Sequence, residues 1–202
     1  MTLGGIVLAG GRSRRMGVDK ALLDWHGTPL VVHVAGIVRS TVEGPVVVVA
    51  ALGQELPALP DGVERVDDVH PERGPLEGLH GGLVALGGRA DVAVVVGVDA
   101  ALLRPRLVDL LVDALEREDA ALAVACVAAD RRPLPMVVRV DLEPAVRSLL
   151  ESGERRLRSL VALGPVAALP EAEVRVVDPE LDSLAPLNTP DELAAALVRA
   201  SG

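Results

Sequence analysis

A glycine- and arginine-rich stretch, residues 8–23, carries the side chains best suited to bind phosphate. It follows a short apolar run and has the sequence LAGGRSRRMGVDKALL. Gly10 and Gly11 lack a Cβ, so they can adopt positive φ and let backbone N–H groups converge on an anion. Arg15 and Lys20 add charged donors for other phosphate oxygens. A glycine pair after a strand also occurs in plain tight turns, so the glycines by themselves do not decide between the two.

Two residue types that the chain almost avoids point to the same stretch and to the other end of the sequence. Among 20 Lys plus Arg residues, Lys20 is the single lysine, and Asn188 is the single asparagine. An ammonium group is a compact charge that fits between phosphates, whereas a guanidinium is a wide planar fork. Lys20 and Asn188 are therefore stronger functional candidates than any cluster of charges.

Composition narrows the classes of protein to consider. With 202 residues, the chain is expected to form one domain over residues 1–202. Its net charge of −9 argues against long nucleic acids as partners. No leader and no apolar run of about 18 residues is found, which predicts a cytoplasmic protein without a membrane contact. The single cysteine, Cys126, has apolar neighbours and is expected to be a buried thiol.

Apolar runs separated by helical patterns predict the fold class. Continuous apolar segments at 4–9, 46–50 and 92–98 are typical of strands that are buried on both faces. A helix is expected over 75–86, and a late strand is expected near 174–177. The alternation indicates an α/β protein, a Rossmann-like three-layer α/β/α fold with a mostly parallel central sheet.

Three polar or flexible residues follow predicted strands. In parallel sheets ligands bind beyond the carboxyl ends of the strands, so Gly10, Asp68 and Asp99 are expected at one edge. Asp99 could bind Mg²⁺, which prefers one or two carboxylates together with phosphate oxygens, or it could cap the next helix. The pair Asp67 and Asp68 could accept hydrogen bonds from a base or ribose, or it could be an ordinary acidic loop.

Six motifs, taken in order, resemble the MobA-like nucleotidyltransferases and specifically the molybdenum cofactor guanylyltransferases. They are LAGGRSRRMGVDK at 8–20, GPLEGL at 74–79, Asp99, RPL at 132–134, GERRL at 153–157 and LNTPDEL at 187–193. The likeness covers nearly the whole chain. It implies the fold of nucleotide-diphospho-sugar transferases and the transfer of GMP from GTP to the phosphate of molybdopterin or Mo-molybdopterin. The reaction forms the guanine dinucleotide cofactor and releases pyrophosphate, with Mg²⁺ as the cofactor and a molybdoenzyme or its chaperone as a possible partner.

The resemblance also implies roles for ten residues. Backbone groups of the strand end would contact guanine and ribose, the basic residues would hold the triphosphate, and the aspartates would contact the nucleotide and Mg²⁺. The implied catalytic residues are Lys20, Arg15 and Asp99, with Asp99 also the metal ligand. The implied nucleotide-binding residues are Leu8, Ala9, Gly10, Gly11, Lys20, Asp68 and Asp99. The implied acceptor-binding residues are Asn188 and Gly78.

The chain departs from the family pattern at a few positions. It has Pro186 two positions before Asn188, and Val49 or Ala51 near the end of the second strand, where the family commonly has asparagine. These losses keep two alternatives open: a related nucleotidyltransferase that uses CTP or a sugar phosphate, and a weakly active GTP-binding partner protein. The Leu-Ala-Gly-Gly order, with Gly10 in third place, favours the guanylyl branch over the cytidylyl relatives.

Overall fold

A computed structural model describes residues 1–10, 19–185 and 187–200 of the chain. Short 3₁₀ turns lie at Lys20–Leu22, Pro71–Arg73, Val140–Leu142, Leu157–Ala162 and Asp182–Leu184. The strands are β1 (Leu3–Leu8), β2 (Asp24–Trp25), β3 (Thr28–Pro29), β4 (Val46–Ala51), β5 (Val63–Asp68), β6 (Val92–Gly97), β7 (Leu122–Val127), β8 (Asp130–Arg139) and β9 (Val166–Pro170). The helices are α1 (Leu30–Thr41), α2 (Pro75–Leu86), α3 (Pro105–Arg117), α4 (Glu143–Glu151), α5 (Glu171–Val177) and α6 (Pro190–Ala200).

The central sheet is mostly parallel, as the apolar strand pattern predicts. Its seven strands follow the order β5-β4-β1-β6-β8-β7-β9, and β8 alone runs antiparallel to its neighbours β6 and β7. Successive residues of β4 alternate between the two faces: Val46 and Val48 join one core cluster, and Val47 and Val49 join the other. Burial on both faces explains why the strands are continuously apolar.

Helices cover both faces of the sheet, which completes the three layers. The first core cluster contains residues of α1, α3, α5 and α6, whereas the second contains residues of α2 and α4. Helix α2 begins with Pro75 in its first turn, a position where the missing N–H costs nothing. Within the described ranges, none of the helices combines the length and the apolar character needed to cross a bilayer.

The predicted strand at 174–177 is wrong, because this segment is the end of α5. The preceding residues form β9, which pairs in parallel with β7 at the edge of the sheet. Glu171 and Arg175 form an i,i+4 ion pair with N and O atoms 2.8 Å apart, which supports a helix. Val174 is buried, whereas Val176 is 76% exposed, so the apolar residues of this segment do not bury a strand face.

Cys126 also differs from its prediction. The residue lies in β7 and its thiol is free, but the residue is half-buried instead of fully buried. Its position is next to a register shift between β7 and β8, which falls between Val124 and Cys126. Such a register shift disrupts the strand pairing locally, and apolar neighbours in the sequence do not reveal it.

Candidate functional site

The carboxyl ends of four parallel strands meet at one edge of the sheet. Leu8 of β1 pairs with Val49 of β4 and with Gly97 of β6, and Ala51 of β4 pairs with Asp68 of β5. The chain therefore leaves all four strands on the same side. The predicted grouping of Gly10, Asp68 and Asp99 at one edge agrees with this register.

The single lysine and the single asparagine meet at this edge. Lys20 Nζ donates to Asp99 Oδ2 over 2.9 Å and to Asn188 Oδ1 over 2.8 Å. The Lys20 and Asp99 side chains are 14% and 33% exposed, so the ion pair is only partly screened by solvent. Asp99 does not cap a helix, because the N-cap of α3 is Arg104. Two oxygen atoms from distant parts of the chain thus converge on one cationic nitrogen.

Asp19 fixes the turn that carries Lys20. It is the N-cap of the 3₁₀ turn, and its Oδ1 accepts a hydrogen bond from Ala21 N over 2.9 Å. Its second oxygen, Oδ2, accepts from Gln54 Nε2 over 2.7 Å. Because both carboxylate oxygens are engaged, Asp19 links the start of the turn to the segment after β4.

Gln54 is a site residue that the sequence reasoning missed. Its Nε2 also donates to Ala9 O over 3.2 Å, and its Oε1 accepts from Ala51 N over 2.9 Å. The side chain therefore connects β1, β4 and the residue before Lys20. A signal was available, since Gln54 is the only glutamine in the chain. The rarity that singled out Lys20 and Asn188 applied to it equally.

The backbone groups predicted to contact the nucleotide are partly engaged within the sheet. The N–H groups of Ala9 and Gly10 both donate to Val49 O, over 2.8 and 3.1 Å, and Leu8 O accepts from Val98 N over 3.0 Å. A Cβ on Gly10 would lie 3.4 Å from Ala51 N, which shows how closely the two strand ends approach. Carbonyl oxygens, each with a second lone pair, are consequently the groups that can still bind a ligand at this strand end.

The two neighbouring aspartates of β5 have different environments. Asp68 is 8% exposed, and its Oδ1 accepts a hydrogen bond from His70 N over 2.8 Å. Burial raises the pKa of the Asp68 carboxyl above its ordinary value, and this effect outweighs the hydrogen bond. Asp67 is exposed and forms an ion pair with Arg65, in which Arg65 Nε lies 2.8 Å from Asp67 Oδ1. Asp68 is the member of the pair that the fold sequesters.

Two of the motifs that are separate in sequence touch each other beside α2. Gly74 has a φ of 80°, and a Cβ there would lie 3.1 Å from Arg155 O. The same carbonyl accepts a hydrogen bond from Leu76 N over 3.3 Å. A Cβ on Gly78 would lie 3.3 Å from Leu8 Cδ2, so this glycine permits close packing of α2 on β1. Gly78 therefore has a packing role, and its predicted contact with the acceptor stays a prediction.

Asn188 is held by the start of α6. Glu192 Oε2 accepts from Asn188 N over 2.6 Å and from Thr189 N over 3.0 Å. In return, Thr189 Oγ1 accepts from Glu192 N over 3.2 Å. This reciprocal pattern is a capping box, and it explains why the Thr-Pro-Asp-Glu sequence follows the asparagine. The helix start fixes the backbone from which the Asn188 amide reaches Lys20.

An ionic cluster of buried carboxylates and exposed arginines, which we call the C-terminal clamp, joins the segments around Asp99 and Asn188. It consists of Arg104, Asp178, Asp182, Ser183 and Arg199. Asp178 is fully buried, with its Oδ1 3.0 Å from Arg104 Nε and its Oδ2 accepting from Ser183 N over 2.7 Å. Asp182 Oδ1 lies 3.0 Å from Arg199 Nε. Arg104 precedes α3 and Arg199 lies in α6, so the clamp ties these two helices together.

Two predicted site residues, Gly11 and Arg15, lie outside the described residues, as does Pro186. Their roles stay predictions. Of the remaining predicted residues, the structure brings Lys20, Asp99 and Asn188 into direct contact.

The chain is similar to known proteins over most of its length. A family model described as the MobA-like NTP transferase domain matches residues 5–172. A molybdenum cofactor guanylyltransferase from Xanthomonas euvesicatoria is 38% identical over 162 residues, which are 79% of this chain and 76% of that protein. A probable molybdenum cofactor guanylyltransferase from Mycobacterium marinum is 38% identical over 200 residues, or 96% and 93% of the two chains.

Solved structures share the fold. Molybdopterin-guanine dinucleotide biosynthesis protein A from Archaeoglobus fulgidus superposes with a TM-score of 0.77 at 23% identity, and the match covers 98% of each chain. A Mycobacterium tuberculosis protein solved as a complex with manganese has a TM-score of 0.67 at 17% identity, with 98% and 99% coverage. At these identities the likeness establishes the three-layer α/β architecture.

Proposed function

Because the chain belongs to the MobA-like NTP transferase family, we propose that it is a molybdenum cofactor guanylyltransferase. It would transfer GMP from GTP to the phosphate of molybdopterin or Mo-molybdopterin and release pyrophosphate. The relatives with this name are 37–38% identical over most of the chain. The observation that carries the proposal is the contact of Lys20 Nζ with Asp99 and Asn188 at the strand ends.

The proposed chemistry needs alignment and charge neutralisation. An oxygen of the acceptor phosphate attacks the α-phosphorus of GTP, a new P–O bond forms, and the bond to the β-phosphate oxygen breaks so that pyrophosphate leaves. The attacking group is already an anion, so no protein nucleophile is required. The backbone of Lys20 is fixed in an N-capped 3₁₀ turn, so its ammonium group can neutralise phosphate charge at a defined place.

Asp99 and Asn188 fit a divalent cation shared with the nucleotide. Their oxygen atoms already converge on one positive charge, the Lys20 ammonium. Among the described residues no group of three His, Cys, Asp or Glu side chains is placed to hold a metal, which suits an ion that takes its other ligands from phosphates and water. We propose Mg²⁺ as this ion, and it would neutralise charge on the phosphate oxygens.

Guanine would be recognised through acceptors at the strand ends. The N–H groups of Ala9 and Gly10 are occupied, so the free lone pairs are on carbonyl oxygens. The guanine edge carries N–H donors at N1 and N2, which complement such acceptors. Asp68, buried at the end of β5, would accept a hydrogen bond from the nucleotide in its ionised form.

Pyrophosphate release tests the proposal directly. Purified protein with Mg²⁺, GTP and molybdopterin should release pyrophosphate, and calorimetric titration should rank GTP above CTP, ATP and UTP. Lys20→Met should lower the rate about 10²- to 10³-fold, the loss typical of removing one charge-stabilising donor. Arg117→Met, which removes an exposed cation in α3, is the control and should retain the rate. Tighter binding of CTP, or GTP binding without turnover, would replace the proposal with one of its two alternatives.

A further inference from the structure

The side chain of Gln54 has three partners from three different segments. Its Nε2 donates to Asp19 Oδ2 over 2.7 Å and to Ala9 O over 3.2 Å, and its Oε1 accepts from Ala51 N over 2.9 Å. The amide orientation follows from the partners, because a carboxylate and a carbonyl only accept and a backbone N–H only donates. A glutamine is the one uncharged side chain of this length that offers both kinds of group.

These bonds relate the position of Lys20 to the end of β1. Asp19 holds the Lys20 turn with one oxygen and Gln54 with the other. Ala9 directly follows β1, and Ala51 ends β4. The Gln54 amide thus sets how far the turn stands from the strand ends. The bond to Asp19 is charge-assisted, which makes it about twice as strong as a neutral one.

The single lysine lies between the only two side-chain amides of the chain. Asn188 Oδ1 accepts directly from Lys20 Nζ, while Gln54 acts one residue earlier through Asp19. One amide therefore contacts the lysine head group, and the other contacts the base of its turn. This arrangement constrains Lys20 at both ends of its side chain.

We propose that Gln54 is a positioning residue that places Lys20 for phosphoryl transfer by joining the Asp19 carboxylate to the carbonyl at the end of β1. The proposal rests on the proposed guanylyltransferase function for its kinetic part only. Gln54 touches no reacting group; it acts through Asp19 and the turn. Small displacements of a charge-neutralising group cost rate steeply, since about 1 Å can lower a rate 10²-fold.

Substitutions of Gln54 should lower kcat to different extents. Gln54→Met keeps the length and loses all three hydrogen bonds, so we expect kcat to fall about 10-fold with a KM for GTP within about threefold of wild type. Gln54→Glu places a carboxylate against two acceptors, Ala9 O and Asp19 Oδ2, and kcat should fall about 100-fold. Glu55→Gln changes the next side chain, which is exposed, and should leave both constants unchanged.

A double variant separates positioning from general damage. In Q54E/D19N the amide and the carboxylate exchange places, so a donor again faces an acceptor between the two side chains. The double variant should recover at least part of the kcat lost in Gln54→Glu, although Asp19→Asn alone lowers kcat. Unfolding midpoints of all variants are measured in parallel. A double variant no better than Gln54→Glu would overturn the proposed role of the Asp19–Gln54 bond.

Lysine-specific NMR tests the same inference without turnover. Because Lys20 is the single lysine, protein labelled with ¹³C,¹⁵N-lysine gives one side-chain spin system. Its Cε and Hε shifts should move in Gln54→Met and Gln54→Glu and remain at the wild-type values in Glu55→Gln. Unchanged shifts in folded Gln54→Met would overturn the positioning role. If the wild type lacks transferase activity but the shifts respond as expected, the proposed function fails and the placement of Lys20 by Gln54 stands.

Discussion

Buried carboxylates occur both in the C-terminal clamp and at the carboxyl ends of β1, β4, β5 and β6, but their partners differ. In the clamp, fully buried Asp178 lies 3.0 Å from the Arg104 guanidinium and accepts two backbone N–H donors. At the strand ends, Asp68 is buried with one backbone donor, from His70, and its pKa is raised by burial. In the clamp Asp178 therefore has a cation and two backbone donors, whereas at the strand ends the hydrogen bond to Asp68 does not offset the effect of burial.

The difference agrees with the roles proposed for the two regions. The clamp lies between α3 and α6, the helices that follow Asp99 and Asn188, so its strong pairs fix the relative positions of these segments. The strand ends combine the ion pair of Lys20 and Asp99 with the side-chain amide contacts of Gln54 and Asn188, and carbonyl oxygens there retain acceptor capacity. A carboxyl that is poorly compensated in the free protein is a common property of binding sites.

Breaking the clamp should have the largest effect on stability. Asp178→Asn removes the charge that faces Arg104 and leaves two backbone donors with a single carbonyl acceptor. We expect a loss of about 3 kcal/mol in the free energy of unfolding, near the lower end for a broken buried pair because Arg104 is 46% exposed. Urea denaturation measures the change, with Asp61→Asn at an exposed site as the control.

Stability within about 0.5 kcal/mol of wild type for Asp178→Asn would show that the clamp does not hold the two helices. That result would contradict the stabilising role given to the clamp in this comparison.

Packing of α2 on β1 should have an intermediate effect on stability. A Cβ on Gly82 would lie 2.7 Å from Ile6 Cγ2, whereas a Cβ on the adjacent Gly81 would lie 3.8 Å from Val66 Cγ1. Gly82→Ala should therefore lower the free energy of unfolding by about 1–2 kcal/mol through overpacking of α2 on β1. Gly81→Ala, measured in the same denaturation series, should be neutral or stabilise by up to about 1 kcal/mol. Equal effects at the two positions would contradict the close-packing argument.

The Asp68 carboxyl should produce the smallest effect, which is a dependence of stability on pH. The folded state raises the pKa of Asp68, so the folded protein binds its proton more tightly than the unfolded chain does. Stability from this group is present below its ordinary pKa of 3.8 and is lost as the pH rises through the raised value. Asp68→Asn does not titrate, so its stability relative to wild type should increase across that window.

Denaturation curves at a series of pH values measure this difference, and Asp67→Asn controls for the loss of one neighbouring charge. A relative stability of Asp68→Asn that is flat or falls with pH would mean that burial does not dominate at this carboxyl.

Most of the fold could be predicted from local patterns. The apolar runs anticipated β1, β4 and β6 to within one residue, and the helix expected over 75–86 is α2. The segment at 174–177 was misassigned because Val-Arg-Val-Val has strand-like composition, yet β9 already occupies the sheet edge beside β7. Which segment pairs at an edge is a tertiary outcome that β propensity does not determine.

For the site too, the sequence predicted some features and only the tertiary structure decided the others. Composition by itself determined that Lys20 and Asn188 are exceptional, and the strand pattern determined that Gly10, Asp68 and Asp99 share one edge. Only the tertiary structure decided that Lys20 bridges Asp99 and Asn188, over sequence separations of 79 and 168 residues, and that Gln54 supports its turn. Residue types and periodicity report local chemistry and burial, whereas hydrogen-bond partners so far apart along the chain are chosen by how the layers pack.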